Sequence, residues 1–429
     1  MTIIDLGELR DDAGPEPPGR LPRTVGRPTR VALVLVLTLV ALAGSAPPAR
    51  REPFTVPARP GSAAYLTADR LFVTEPVDAP SGRPGQLSAY AVPPAGSGPL
   101  TPLWRAPLPS TGVFGGLAVR DDLVLFVGGP SQDGPFRTHA FDLATGRSRW
   151  EQQGAGIEAG DGLLIESEEG DGPGTVRSVD LATGRVRWTL PAPEAATTFR
   201  FRRDGADRIV LTPPTGPAEV WDARTGVRLR SARINPGDLP VYQQAQAVGD
   251  LLLVVRDNAS RITAYGLDGL ERRWEIRLGL VALLAECGAV ICVYGQTGGM
   301  WGLDPATGAV RWAAPRWRVA TTERGGRLLV GALGSGAEET YAFVETATGR
   351  VISELGPWKL AGWYPPDGRL VGVRPTGDDR LVVADLDVGA ARVRVLDVLS
   401  GVSGECQAGA DLLVCRRLDG SYGVWRLDR

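Results

Sequence analysis

Histidine and lysine are nearly absent from this sequence of 429 residues: His139 and Lys359 stand alone, and every other basic side chain is arginine. That scarcity removes much of the chemistry open to a chain of this length. A Ser-His-Asp or Cys-His catalytic group would have to use His139. A zinc site built from several histidines is excluded. An excess of charge of either sign is missing as well. The formal net charge is -2, so no basic field draws the chain toward nucleic acid, and no nucleic-acid partner is expected.

Long hydrophobic runs are also missing, with one exception. Residues 31–49, opening at Val31 and closing at Ala49, form 19 uncharged residues between Arg30 and Arg50. That is close to the roughly 20 residues a helix needs to cross a bilayer. Arg20, Arg23, Arg27 and Arg30 precede the run, and arginines are sparser after it. Positive charge of this kind places residues 1–30 in the cytoplasm and the body outside. The organisation expected is therefore a disordered cytoplasmic tail (1–30), a transmembrane signal-anchor (31–49) and an exported body (50–429). A cleaved signal peptide is the competing reading, because Ala41-Leu42-Ala43 resembles a cleavage site. An N-terminal region of 30 residues is long for that. No cysteine follows the run, which excludes a lipoprotein anchor. In both readings the body leaves the cytoplasm, and the retained form is a single-pass cell-membrane protein.

What the sequence has in abundance is turn residues: 56 glycines and 35 prolines, with 43% hydrophobic content. Many turns in an apolar chain imply many short strands. One pattern keeps returning. It reads Phe141-Asp-Leu-Ala-Thr-Gly-Arg-Ser-Arg-Trp150, then Val179-Asp-Leu-Ala-Thr-Gly-Arg-Val-Arg-Trp188, and Leu303-Asp-Pro-Ala-Thr-Gly-Ala-Val-Arg-Trp312. Shorter copies are Trp221-Asp-Ala-Arg-Thr-Gly226 and Val344-Glu-Thr-Ala-Thr-Gly349, and weaker ones lie at Tyr265–Gly269 and Ala384–Gly389. The Asp-equivalent positions 142, 180, 222, 266, 304, 345 and 385 are spaced by 38, 42, 44, 38, 41 and 40 residues. A period near 40 with four short strands per unit is the spacing of propeller blades.

Each residue of the pattern has a local task. The Asp carboxylate can accept hydrogen bonds from amides two or three residues on, and the Thr hydroxyl can add another. Gly supplies a positive φ that closes the hairpin. The Trp, eight residues after the Asp, would sit on the outer strand and cover the next blade. The fold expected is all-β, a single propeller of four-stranded blades preceded by one transmembrane helix. Eight outer strands follow the turns, which favours eight blades and leaves seven and nine open. Nine segments suit third strands, the last at the C-terminus, so an N-terminal strand is expected to complete the final blade.

Asp-x-x-Thr-Gly-x-x-x-Trp at this period resembles the pyrroloquinoline-quinone-like (PQQ-like) propeller superfamily, over roughly residues 55–429. That group includes quinoprotein dehydrogenases and also the non-enzymatic propeller lipoprotein of the outer-membrane barrel assembly machine. The dehydrogenases carry an adjacent Cys-Cys disulfide over their cofactor and are much longer; this chain has no adjacent cysteines, and their calcium-binding carboxylates find no counterpart in it. The resemblance therefore implies the non-enzymatic branch, with no catalytic residues and no cofactor or metal, PQQ and Ca²⁺ included.

The four cysteines fall on two expected hairpins. Loops at Ala289-Val290 and at Ala410-Asp411 would set Cys287 opposite Cys292 and Cys406 opposite Cys415, within reach of two disulfides in an exported body. Four buried thiols are the alternative. The function expected is a membrane-anchored scaffold binding a protein or glycan partner, with connections Pro76–Gln86, Pro93–Pro102 and Gly129–Phe136 as candidate contact loops. A quinoprotein dehydrogenase and the outer sensory half of a membrane system are the alternatives. His139 is expected to be an ordinary strand residue. Trp301, Trp317, Trp358 and Trp363 are assigned to packing between blades, with a ligand groove as the alternative. The acidic stretch from Glu166 to Asp171 is assigned to a solvated loop.

Overall fold

The computed structural model describes residues 52–427, except 68, 78–83, 109–112, 130–135, 168–173, 193–196, 214–215, 235–244, 334–338, 363–369, 378 and 410. The tail and the apolar run at 1–49 lie outside the described residues, as do Trp363 and most of the acidic stretch. Among the described residues no helix is long and apolar enough to cross a membrane.

The body is all-β. Among the described residues its strands form nine antiparallel four-stranded units, numbered here as blades 1 to 9. Blades 1 to 8 span residues 63–108, 113–153, 155–191, 197–232, 245–277, 281–314, 319–357 and 359–400. Blade 9 takes three strands from the C-terminus, Val402–Gly409, Leu412–Arg417 and Tyr422–Arg426. Its fourth is the N-terminal strand Phe54–Val56, with Phe54 facing Val424 and Val56 facing Tyr422. The N-terminal closure is as expected. The count is nine where eight was favoured, because the last outer strand follows no turn and escapes a tally of outer strands after turns.

The burial pattern explains why each strand is written as it is. Second and third strands are covered on both faces by neighbouring blades, so they run unbroken, as in Leu251–Arg256 (LLLVVR) and Val290–Gly295 (VICVYG). Fourth strands lie at the rim and alternate, as in Pro102–Leu108, where Trp104, Ala106 and Leu108 are buried and their neighbours are not. Nine hydrophobic clusters among the described residues occupy nine seams. Each draws residues from two successive blades, from Phe72, Leu87, Val124 and Phe126 between blades 1 and 2 to Leu413 and Trp425 meeting Val371 and Val383 between 8 and 9. The ninth closes the ring: Leu412, Val414 and Val424 of blade 9, with Val56, pack on Leu71 and Val73 of blade 1.

Polar latches hold the closing seam at both ends. The Arg426 guanidinium donates to Pro93 O (3.0 and 3.1 Å), Val92 O (3.2 Å) and Asp411 Oδ2 (2.6 Å). Elsewhere on the seam Tyr422 Oη (2.6 Å) and Arg416 Nη2 (2.8 Å) both donate to Ser62 O. The connection Pro93–Pro102, expected as a candidate contact loop, also serves as a strap, and most of it stays exposed. Its Gly98–Pro99 strand pairs in parallel with Phe54–Val56, covering an edge that would otherwise be open.

Both cysteine pairs are joined, Cys287 to Cys292 and Cys406 to Cys415, with Cα separations of 5.8 and 4.1 Å. Cys406 faces Cys415 directly, as expected. The other hairpin turns one residue earlier, on Gly288-Ala289, so Cys287 faces Val290 while Cys292 faces Ala285, and the bond runs diagonally. Gly288 decides this register: its φ of +60° suits the first position of a two-residue hairpin turn, which a β-branched Val290 inside the turn would not favour.

Two outcomes follow from closure. Phe54→Ala removes a ring 7% exposed from the closing seam and should destabilise the propeller by about 3 kcal/mol, read from a denaturant midpoint shift. Alkylation under denaturing conditions without reductant should modify none of the four cysteines.

Candidate functional site

The repeated motif carries the recurring polar side chains of the blades, and the structure gives its Asp, Thr and Trp hydrogen-bond partners. Asp142 Oδ1 accepts from the Thr145 amide (2.8 Å) and hydroxyl (2.7 Å). Asp180 with Thr183 and Asp222 with Thr225 repeat this at 2.8–3.0 Å. Asp304 accepts from the amides of Ala306 (2.8 Å) and Thr307 (3.0 Å). In Asp142, Asp180 and Asp304 the second carboxylate oxygen goes to an arginine seven residues on; at Asp222 that position is Leu229, and Arg208 takes its place at 3.5 Å. Arg187 joins Asp180 (2.8 Å) to Asp161 (3.0 Å) in the adjacent turn of the same blade, Arg149 joins Asp142 to Asp122, and Arg311 grips Asp304 at 2.6 and 3.1 Å. These arginines are not among the expected motif residues, although Arg149, Arg187 and Arg311 recur directly before the Trp.

Hydrogen bonds from Arg149 and Thr145, and from Arg187 and Thr183, hold the carboxyls of Asp142 and Asp180 at about 2, well below the ordinary value. They stay ionised throughout the physiological range, as turn caps rather than proton carriers.

The Trp completes the motif across the seam. The indole N–H donates to a carbonyl in the turn of the next blade: Trp104 to Leu143 (2.9 Å), Trp150 to Leu181 (2.8 Å), Trp188 to Arg224 (3.1 Å), Trp274 to Pro305 (2.8 Å) and Trp312 to Thr346 (2.8 Å). The ring lies flat against that turn's glycine. A Cβ on Gly146, Gly184, Gly226, Gly308 or Gly349 would stand 2.4–2.8 Å from the indole, and φ there is +67° to +74°. Glycine is thus required twice, by backbone conformation and by the ring's approach.

The remaining candidates are also accounted for structurally. His139 lies on the third strand of blade 2, 2% exposed, with Nδ1 3.5 Å from Glu151 Oε2 and the rings of Phe126 and Phe141 nearby. Burial lowers its pKa, so it is neutral at pH 7. Trp317 and Trp358 belong to the clusters between blades 6 and 7 and between 7 and 8, under the guanidinium groups of Arg316 (4.6 Å) and Arg374 (4.5 Å). Trp301 packs against the cluster between blades 5 and 6. Among the described residues no group of three or more His, Cys, Asp or Glu could hold a metal ion.

Trp150→Ala should destabilise by about 3–5 kcal/mol, and Gly184→Ala should do so too, through strain and displacement of the Trp150 ring; thermal or denaturant unfolding measures both. The sign for acid is fixed by the lowered carboxyls. The stability they contribute is complete above their ordinary titration range and is lost as pH falls toward about 2. Replacing Asp142 and Asp180 together with Asn should flatten that part of an acid-unfolding profile.

Residues 97–232, from the strap through blade 4, match the PQQ_2 family model, described as outer membrane protein assembly factor BamB. No curated protein matches the chain. Solved structures similar to it include BamB from Moraxella catarrhalis, at 12% identity and a TM-score of 0.42, covering 88% of this chain and 97% of that one. The computationally designed Ika8 protein is similar at 18% identity and a TM-score of 0.47, covering 73% and 96%. The C-terminal WD40 domain of Sif2 is similar at 9% and 0.45, covering 88% and 98%. The described body is a β-propeller whose recurring motif, with the match on residues 97–232, is similar to that of the PQQ-like repeat proteins.

Proposed function

We propose that the propeller is a non-catalytic scaffold that binds a protein or glycan partner on the outer side of a membrane, tethered by residues 31–49. One observation supports this most directly. The polar groups that recur with the repeat are consumed in capping turns and docking blades, which leaves the repeat no free carboxylate set for Ca²⁺ or a quinone. The only histidine is buried beside Glu151. The family match supports the same direction, since the protein for which that model is described is an assembly factor. A role as the outer, sensory half of a membrane system needs the same tether, and only the tail at 1–30 distinguishes it.

Calorimetric titration of the full-length protein with PQQ and Ca²⁺, followed by dye reduction with alcohols and sugars, should give neither binding nor turnover. Tight binding with turnover would overturn the scaffold reading. A photo-crosslinker at Leu418, 66% exposed in the turn before the last strand, should capture a discrete partner on intact cells. Crosslinking at Leu229, 48% exposed on the rim, is the comparison for non-specific capture. Alkaline phosphatase fused after residue 60 should be active if the body is exported.

A further inference from the structure

The seam between blades 4 and 5 is built differently from its neighbours. The outer strand of blade 4, Arg228–Ala232, carries Arg230 where the docking Trp would be, eight residues after Asp222. In the facing turn of blade 5, Leu270 replaces the glycine and keeps the left-handed conformation at φ +55°. The two exchanges belong together: with no indole arriving, the position no longer has to lack a Cβ. Arg230 Nε donates across the seam to Gly269 O at 3.2 Å, at a later position of the turn than the carbonyl the indoles use.

Ions take over the rest of the contact. Arg200, on the first strand of blade 4 (Thr197–Arg202), has a side chain 6% exposed and forms a fork with Asp207 at 2.8 and 2.6 Å. Its remaining nitrogen crosses the seam to Asp250 (2.9 Å), with Asp268 at 3.6 Å. Arg202 also crosses to Asp250, and Arg208 to Asp268 at 3.2 Å while holding Asp222 at 3.5 Å. The acceptors on blade 5 are open to water, Asp250 at 74% and Asp268 at 63%. The apolar cluster beneath, with Val210, Val220, Leu252 and Val254, is present as at other seams. What differs is the outer closure.

We infer that this seam is the conformational joint of the ring: ion-sealed where the seams before and after it are indole-sealed, it loosens when charge is screened while the indole-docked seams stay closed. The physical reason is a difference in what solvent can reach. Screening falls to about 3 Å at 1 M salt, from about 10 Å at 0.1 M, and weakens pairs whose carboxylates face water. An indole buried on a glycine turn holds by packing and one neutral hydrogen bond, which added salt does not screen.

Hydrogen exchange of the full-length protein, read by mass spectrometry at about 0.1 M and about 1 M NaCl, tests this. Peptides from Arg228–Ala232 and Ala245–Val248 should exchange severalfold faster at high salt, while the rim strands Ser148–Gln153 and Val310–Ala314 should not change. Equal response at all seams, or none at this one, would overturn the inference without any variant being needed. The paired exchange Arg230→Trp with Leu270→Gly installs the missing dock and should abolish the salt response; a response that persists in the folded double variant would also count against the joint.

Discussion

An indole laid on a glycine turn fixes five of the nine seams of this propeller. A single blade cannot bury either face, so the fold exists only as a ring whose seams are all closed at once. The apolar clusters supply most of the burial, but apolar strands can slide along one another. The indole cannot slide: its N–H must meet one carbonyl in the next turn, and its ring fits only where that turn has no Cβ. The Asp and Thr hold the turn in the shape that presents both. The motif is therefore one device distributed across two blades, with the cap on one side of the seam and the ring on the other.

The same reasoning explains two of the four seams that lack the indole. At the seam of blades 4 and 5 the Trp and the glycine are lost together, and arginines at 200, 202 and 208 reach across instead. At the closing seam the outer strand comes from the opposite end of the chain, so no turn can precede it. Closure there relies on Arg426, Arg416 and Tyr422 and on the strap at Gly98–Pro99. A ring built by repetition has to make at least one contact by other means, because its two ends do not repeat.

Function is correspondingly hard to find in the repeat itself. The recurring Asp residues look like ligands only until their hydrogen bonds are drawn. Once Asp142 and Asp180 are seen capping threonine turns and gripping arginines, the chemistry that distinguishes this protein has to lie in what varies between blades.

The period, the all-β class, the turn role of Asp, Thr and Gly, the crossing Trp and the N-terminal closing strand could all be read from the residues. These depend on local backbone preference and on spacing along the chain. Blade number could not be settled that way, because the ninth outer strand, Phe54–Val56, is adjacent to its partner only in space. The diagonal Cys287–Cys292 register turned on which residue took the left-handed turn position, and Gly288 won over the symmetric alternative. The short strand Gly98–Pro99 within Pro93–Pro102 exists only because Phe54–Val56 lies beside it. Arg200 and Arg230 look like ordinary strand arginines until Asp250 and Gly269, dozens of residues away, face them across a seam. Local pattern specifies what each blade is; how unlike blades meet depends on the assembled ring, because those contacts join residues that no local pattern brings together.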